Sequence, residues 1–273
     1  MLTDPTIAAV VPPWGGETGI DLVDLLDYDA IAAAEPTWCV GFSDTSTLLL
    51  PLTLRTGVAT LHGQNLMDTP YDSAPGILPW WRVAARTGAV TQRSPGRYRT
   101  DFDPWEDEPT VTDFPLPRSG HWKVLGGGAV DVRGRLIGGC IETVSPLAGT
   151  AYGDVRTLGE HSPEGLLVYL EACELGAFDI ARMLHGIRLA GWFDHANAVL
   201  VGRTSAPDSD GFTQLDAVVD AVGDLGVPVV TDMDFGHVPP YMCFVNGATA
   251  TVVVDGERQE IVQQVGEGTS TAP

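Results

Sequence analysis

The chain has 273 residues, of which 44% are hydrophobic, so it is long enough to form one large domain or two ordinary domains. Acidic residues outnumber basic residues by 36 to 15, and the formal charge of −21 disfavours binding to nucleic acids and to anionic membranes. The sequence has no long uninterrupted apolar run, no basic leader segment and no Cys-x-x-Cys pair. We therefore predict a cytoplasmic protein with free thiols.

Residues 1–70 predict an N-terminal domain in which apolar runs alternate with helical segments. A buried strand is predicted over residues 6–13, and an amphipathic helix that reaches Leu25 and Leu26 follows it. The Gly15-Gly16 turn between them leaves backbone N–H groups open to an anion or a carbonyl oxygen. A second apolar run ends in Gly-Phe-Ser-Asp at residues 41–44, and a leucine-rich helix follows.

Ser43 lies in this second turn, between a predicted strand and a predicted helix. At such a position the helix dipole and the free backbone N–H groups can stabilise a developing oxyanion, so Ser43 is a candidate nucleophile. The alternative is a serine that caps an ordinary helix. Thr45 occupies the place of the second glycine in the Gly-x-Ser-x-Gly turn of α/β-hydrolases, which disfavours a general esterase of that class.

Residues 71–120 are rich in proline and carry an acidic run from residue 101 to residue 108. The composition predicts an insertion or a connector between domains. Its tryptophans, Trp80, Trp81 and Trp105, are expected to pack against the protein rather than to bind a ligand.

Residues 121–273 predict a C-terminal α/β domain that begins with a β-rich, glycine-dense portion of strands and tight turns and ends in a β-hairpin. Between these parts, strands and helices alternate over residues 165–235, which predicts a parallel sheet. One strand ends at Glu171 and another ends just before His237. Both side chains should therefore emerge at the same edge of the sheet.

Ser43, Glu171 and His237 thus appear along the chain in the order nucleophile, acid and histidine. A serine hydroxyl needs a histidine to accept its proton, and the histidine needs an acid to fix its tautomer. Two alternatives remain for His237. It could bond to a nearby aspartate, Asp232 or Asp234, or it could join both in an Asp-x-Asp-x-x-His metal site, although no second His or Cys cluster completes the ligand set.

Four segments resemble motifs of the LD-carboxypeptidase family of serine peptidases: Gly-Phe-Ser-Asp at 41–44, Arg-Gly-Arg-Leu-Ile-Gly-Gly at 133–139, Tyr-Leu-Glu at 169–171 and Gly-His-x-Pro at 236–239. The family includes muramoyl-tetrapeptide carboxypeptidases and microcin C self-immunity peptidases. Order and spacing match from about Pro5 to the end of the chain. The resemblance implies a flavodoxin-like N-terminal domain and a C-terminal α/β domain, with the active site between them.

The same resemblance implies a role for each candidate residue. Ser43 would be the nucleophile, His237 the general base and Glu171 its orienting acid, and the backbone N–H groups of Asp44 and of the Gly15-Gly16 turn would form the oxyanion hole. A homodimer without metal or cofactor is expected. Family members normally carry more chain ahead of the first predicted strand, so we expect the N-terminal domain to be partly missing.

The expected activity is that of a serine carboxypeptidase or amidase acting on small peptide-like substrates. The bond cut would be either an aminoacyl- or peptidyl-nucleotide amide or the L,D bond of a murein tetrapeptide. Candidate substrate-binding residues are Trp122, Lys123, Arg133 and Arg135, because a terminal carboxylate needs a cation; surface ion pairs are the alternative role for the three cations. From another functional class, the chain could be a catalytically silent binding or scaffold protein of the same fold, owing to the shortened N-terminal domain.

Overall fold

The computed structural model describes residues 1–69, 71, 73–100, 110, 112, 115–256 and 258–266. The strands in these residues are β1 (Ala9–Val10), β2 (Trp38–Gly41), β3 (Thr60–His62), β4 (Gly88–Arg93), β5 (Arg97–Tyr98), β6 (Arg118–Ser119), β7 (Lys123–Val124), β8 (Val130–Cys140), β9 (Leu166–Glu171), β10 (Ala196–Gly202), β11 (Val229–Met233), β12 (Phe244–Asn246), β13 (Thr249–Asp255) and β14 (Arg258–Val265). The acidic run at residues 101–108 and Trp105 lie outside the described residues.

The helices are α1 (Tyr28–Ala32), α2 (Ser46–Thr56), α3 (Trp80–Ala84), α4 (Ile141–Val144), α5 (Val155–Glu160), α6 (Ala177–Leu189) and α7 (Gln214–Val222). Short 3₁₀ turns occupy Gly19–Leu25, Ser43–Thr45, Leu66–Asp68 and Ser145–Leu147. Within the part of the chain that the structure describes, no helix is long and apolar enough to cross a bilayer.

Two sheets carry the fold, which confirms the predicted α/β class. The smaller sheet has the order β1-β2-β3-β12, with β1, β2 and β3 parallel and β12 antiparallel to β3. The larger sheet has the order β4-β14-β13-β8-β9-β10-β11-β7, and its four strands β8 to β11 are parallel. A third sheet is the pair β5-β6.

The parallel strands are buried on both faces, as their continuous apolar sequence requires. Residues Leu166 to Leu170 of β9 are fully buried. Helices α6 and α7 cover one face, where Ile180, Leu184 and Val218 belong to the main core. On the opposite face, Tyr169, Phe235 and Phe244 form a second core. The buried strands hold their carboxyl ends in fixed positions.

The glycine-dense stretch before residue 140 forms the strands β7 and β8 with a tight turn between them, as predicted, and Gly138 allows the backbone of Tyr169 to approach where a Cβ would overlap the Tyr169 carbonyl oxygen. Two parts of the chain differ from the sequence-based expectation. The first strand is only Ala9–Val10 and is half-buried. The helix predicted to follow it is the 3₁₀ turn Gly19–Leu25.

The segment 71–120 is more than a connector, because its strand β4 pairs with β14 at the edge of the larger sheet. The strand β12, which comes from the C-terminal half of the chain, pairs with β3 of the smaller sheet. The smaller sheet therefore contains chain from both sides of the segment, whereas the larger sheet consists of β4 from the segment and of strands that follow it.

Candidate active site

The site lies where the carboxyl ends of strands from both sheets meet. In the smaller sheet, Gly41 at the end of β2 is in register with His62 at the end of β3. In the larger sheet, Cys140 at the end of β8 is in register with Glu171 at the end of β9. Ser43 and His237 follow β2 and β11, so the predicted triad residues each come from a different strand end, as the sequence indicated.

Ser43 has a φ of 60°, in the left-handed region that residues with a Cβ rarely adopt. It is the first residue of the 3₁₀ turn that leads from β2 into α2. Thr143 Oγ1 donates a hydrogen bond of 3.2 Å to the Ser43 carbonyl oxygen and helps to hold this conformation. Ser43 lines a cleft of about 290 Å³. A strained serine in a cleft is typical of a functional turn.

The Gly15-Gly16 turn is pressed against Ser43. A Cβ added at Gly15 would lie 2.8 Å from the Ser43 Cβ and 2.9 Å from its Oγ, closer than side chains tolerate. Asp44 anchors the chain beyond this turn, because its Oδ2 accepts a 2.8 Å hydrogen bond from the Gly19 N–H. In the hydrogen bonds between described residues, the N–H groups of Asp44, Gly15 and Gly16 have no acceptor. They are therefore available to receive an oxyanion, and that role stays a prediction.

Glu171 and His237 form a close pair, with 2.7 Å between Glu171 Oε2 and His237 Nδ1. The Glu171 side chain is fully buried and that of His237 is 19% exposed. Gly236 makes the approach possible, because its φ is 92° and a Cβ there would lie 2.7 Å from the Glu171 Cβ. The acid can therefore fix the tautomer of His237 and leave its Nε2 free for proton transfer.

The contact between Glu171 and His237 shifts the pKa of each group. Burial acts to raise the pKa of Glu171, but the charge and hydrogen bond of His237 outweigh it and lower this pKa. Burial acts to lower the pKa of His237, but the Glu171 charge, together with side-chain hydrogen bonds to Cys173 and Glu171, outweighs it and raises this pKa above its ordinary value. His237 is therefore a stronger base than a free imidazole.

Phe42 connects the Ser43 turn to His237. The ring of Phe42, the residue before Ser43, has its centroid 4.8 Å from that of His237. Both residues are described, and no hydrogen bond of 3.5 Å or less joins their side chains. Catalytic hydrogen bonds of this kind are often long in the absence of substrate.

The structure does not support the two alternative partners of His237. Asp232 forms an ion pair with Lys123 at 2.9 Å. Asp234 is fully buried and receives bonds from Arg203 at 2.6 Å and from the indole N–H of Trp122 at 2.8 Å. With both aspartates engaged elsewhere, the Asp-x-Asp-x-x-His metal site is not formed.

Cys140, Glu171 and His237 offer metal-type donor atoms within 4.8 Å of one another. Two of these side chains already bond to each other, so we interpret the group as an acid–imidazole pair with a neighbouring thiol rather than as metal ligands. Burial, then the charges of Glu171 and Glu142, raise the pKa of the Cys140 thiol well above its ordinary value. Cys140 is therefore protonated at neutral pH and is a poor competitor to Ser43 as a nucleophile.

The structure does not bring the predicted substrate-binding residues into the cleft. Trp122 is 3% exposed and donates a hydrogen bond to Asp234, while Lys123 forms an ion pair with Asp232. Arg133 and Arg135 lie on β8, and Arg135 precedes Cys140 by five residues, or roughly 16 Å along an extended strand. Arg135 forms an ion pair of 2.6 Å with Glu164. None of the four is among the described lining residues of the cleft, and a role for them in binding substrate stays a prediction.

Replacing Arg135 with alanine should destabilise the protein without weakening substrate binding. Glu164, 17% exposed, would lose its cation, and the Gly247 carbonyl oxygen would lose a hydrogen bond. The expected loss is about 1–3 kcal/mol in the free energy of unfolding, with KM unchanged. Urea denaturation and steady-state kinetics measure both quantities, and an increase in KM would restore the clamp hypothesis.

Replacing Gly15 with alanine should impair catalysis more than stability. The new Cβ would displace Ser43 or the turn beside it, and small misplacements of reacting groups cost about 10- to 100-fold in rate. Gly186→Ala is the matched control, because a Cβ at this position in α6 meets no atom within 4 Å. The control should keep full activity and gain about 0.5–1 kcal/mol in stability. Equal kinetics of the two variants would contradict the predicted contact.

His62 is a site residue that the sequence analysis missed. It lies at the carboxyl end of β3, is 2% exposed, and its Nε2 is 3.8 Å from Glu171 Oε1. In the sequence it follows a short apolar run, residues 58–61, and a strand end of this kind was the signal that identified Glu171. What the sequence lacked was the pairing of β3 with β2, which brings His62 beside the Ser43 turn.

Comparisons with known proteins test the family resemblance that the motifs indicated. The LD-carboxypeptidase N-terminal domain model matches residues 1–63, and the C-terminal domain model matches residues 133–252. The microcin C7 self-immunity protein MccF of Escherichia coli is 24% identical over 97% of this chain and 76% of its own length. A predicted carboxypeptidase of Streptomyces coelicolor is 31% identical over 86% of this chain and 65% of that protein.

Two solved structures show the same fold. MccF in complex with glutamyl sulfamoyl guanosine has a TM-score of 0.76 at 20% identity, covering 97% of this chain and 78% of that chain. An MccF-like protein from Bacillus anthracis has a TM-score of 0.75 at 21% identity, covering 96% and 77%. The chain therefore belongs to the LD-carboxypeptidase family, which supports a peptidase or amide-hydrolase activity.

Proposed function

We propose that the chain is a serine hydrolase that cleaves an amide bond in a small peptide-like substrate. The observation that carries this proposal is the buried pair of Glu171 Oε2 and His237 Nδ1, 2.7 Å apart, beside the strained turn at Ser43. A buried acid bonded to a partly exposed imidazole, with a serine at a strand-to-helix turn, has the parts that acyl transfer needs.

In this mechanism the Ser43 Oγ attacks the carbonyl carbon of the substrate. His237 Nε2 accepts the hydroxyl proton and passes it to the leaving nitrogen, and the Glu171 carboxylate stabilises the charged imidazole. The N–H groups of Asp44 and of the Gly15-Gly16 turn would receive the oxyanion. Water, activated by His237, then hydrolyses the acyl-enzyme.

The charge of the cleft favours one of the two substrate classes. Acidic side chains line it, and no lysine or arginine is among its described lining residues; the acids are Glu17, Asp44, Glu142 and Glu174. A murein tetrapeptide would bring a free α-carboxylate next to the scissile bond into this negative field, whereas an aminoacyl-nucleotide amide has an α-ammonium group next to that bond and, when the acyl group is aspartyl, a free carboxylate only on the side chain. MccF was solved with aspartyl sulfamoyl adenosine. We therefore favour the aminoacyl-nucleotide class over the murein L,D bond.

Product analysis by mass spectrometry tests this choice. Wild type and Ser43→Ala are each incubated with aspartyl sulfamoyl adenosine and with a murein tetrapeptide. Release of aspartate from the first, lost in Ser43→Ala, is the expected result. Release of D-alanine from the second alone would assign the murein reaction. No turnover of either by a folded sample would favour the silent binding or scaffold protein. The cytoplasmic location and the homodimer stay predictions.

A further inference from the structure

Buried polar atoms of His62 and Glu171 lie near each other without forming a hydrogen bond. In the described part of the chain, neither ring nitrogen of His62 has a hydrogen-bond partner, and neither has Glu171 Oε1. His62 Nε2 and this oxygen lie 3.8 Å apart, with both side chains almost fully buried. Buried polar atoms in native proteins almost always have partners, so the two unsatisfied atoms point to each other.

Aromatic rings hold the His62 imidazole in place. Phe42, Tyr169 and Phe235 meet it edge-on, with centroid separations of 6.3, 5.4 and 6.3 Å. These contacts fix the plane of the ring. A small rotation of the Glu171 carboxyl group then brings Oε1 within hydrogen-bond distance of Nε2.

We propose that His62 is a positioning residue that donates its Nε2–H to Glu171 Oε1, so that two imidazoles hold the carboxylate from opposite sides. Oε2 is thereby kept for His237. This inference rests on the proposed role of Glu171 as the orienting acid. The donated hydrogen stays on His62 Nε2 and is not transferred to the carboxylate.

The contact also connects the two sheets. His62 is in register with Gly41, two residues before Ser43, while Glu171 ends β9 of the larger sheet. One imidazole therefore fixes the acid relative to the turn that carries the nucleophile. Without it, the carboxylate can rotate away from His237, and the imidazole loses its orientation.

Two substitutions separate positioning from packing. His62→Leu keeps an apolar side chain among the rings but removes the donor, whereas His62→Gln places an amide N–H near the position of Nε2. We expect kcat to fall about 10- to 100-fold in His62→Leu with KM unchanged, and His62→Gln to recover most of the loss. His185→Gln is the control, because His185 is exposed and pairs with Asp220 on the surface. It should match wild type.

Nuclear magnetic resonance of the resting protein provides a readout that needs no turnover. In ¹⁵N spectra of wild type, His62 should be protonated on Nε2, and in His62→Leu the His237 Nδ1 proton should exchange faster with water. Protonation of His62 on Nδ1 in wild type would overturn the proposal even if His62→Leu failed to fold. Equal kcat and equal His237 spectra in His62→Leu and wild type would also overturn it. If wild type turns over neither substrate while the spectra behave as expected, the proposed function fails and the positioning contact stands.

Discussion

Ser43→Ala is expected to lower kcat for the amide substrate by about 10⁴-fold or more while the protein stays folded. Removal of the nucleophile leaves only binding and oxyanion stabilisation, which in serine hydrolases preserve a small residual rate. Single-turnover kinetics with the substrate identified by product analysis measure the loss. The same variant should form no acyl-enzyme detectable by mass spectrometry.

Ser43→Gly is the matched control for strain at this turn. It also lacks the hydroxyl, so it should be as inactive as Ser43→Ala. Glycine adopts a φ of 60° without the steric cost that a Cβ incurs, so Ser43→Gly should be more stable than Ser43→Ala by about 1 kcal/mol. Retention of more than a tenth of the wild-type rate by either variant would show that Ser43 is not the nucleophile.

The parts of the site that the sequence predicted depend on local patterns. An apolar run that ends in a glycine and precedes a helical segment located Ser43 at a turn. Strand ends located Glu171 and His237, because regular helical crossovers imply parallel strands whose carboxyl ends share one edge. Local sequence patterns were therefore sufficient to place these three residues at strand ends.

The parts that the sequence missed depend on pairings between distant segments. Nothing near His62 indicates that Glu171 will lie beside it, because the contact needs the two sheets to meet. Likewise, the scarcity of cations made Arg135 and Lys123 conspicuous as substrate ligands, but their acidic partners, Glu164 and Asp232, come from other elements. The same limit hid the pairing of β4 with β14 and of β12 with β3.

Glu171→Gln is expected to lower kcat by about 10³-fold or more and to move the pH dependence of the residual activity. The amide cannot carry the charge that stabilises the His237 imidazolium or enforce its tautomer. In wild type the Glu171 charge raises the pKa of His237, so the acidic limb of kcat/KM should lie above pH 6.5. Without that charge, burial lowers the pKa, and the limb should shift below its wild-type position.

Stability provides an independent test of the same pair. Because the pKa of His237 is raised on folding, its contribution to stability is full below 6.5 and is lost as pH rises through the folded value. Because the pKa of Glu171 is lowered, its contribution is full above 4.5 and is lost as pH falls. The stability advantage of wild type over Glu171→Gln should therefore be largest between pH 4.5 and 6.5, measured by urea denaturation across pH.

Glu260→Gln, which removes a buried acid paired with Arg93 and Arg258, is the control and should leave the pH profile of activity unchanged. An acidic limb at the same pH in Glu171→Gln and wild type would mean that Glu171 does not act on His237.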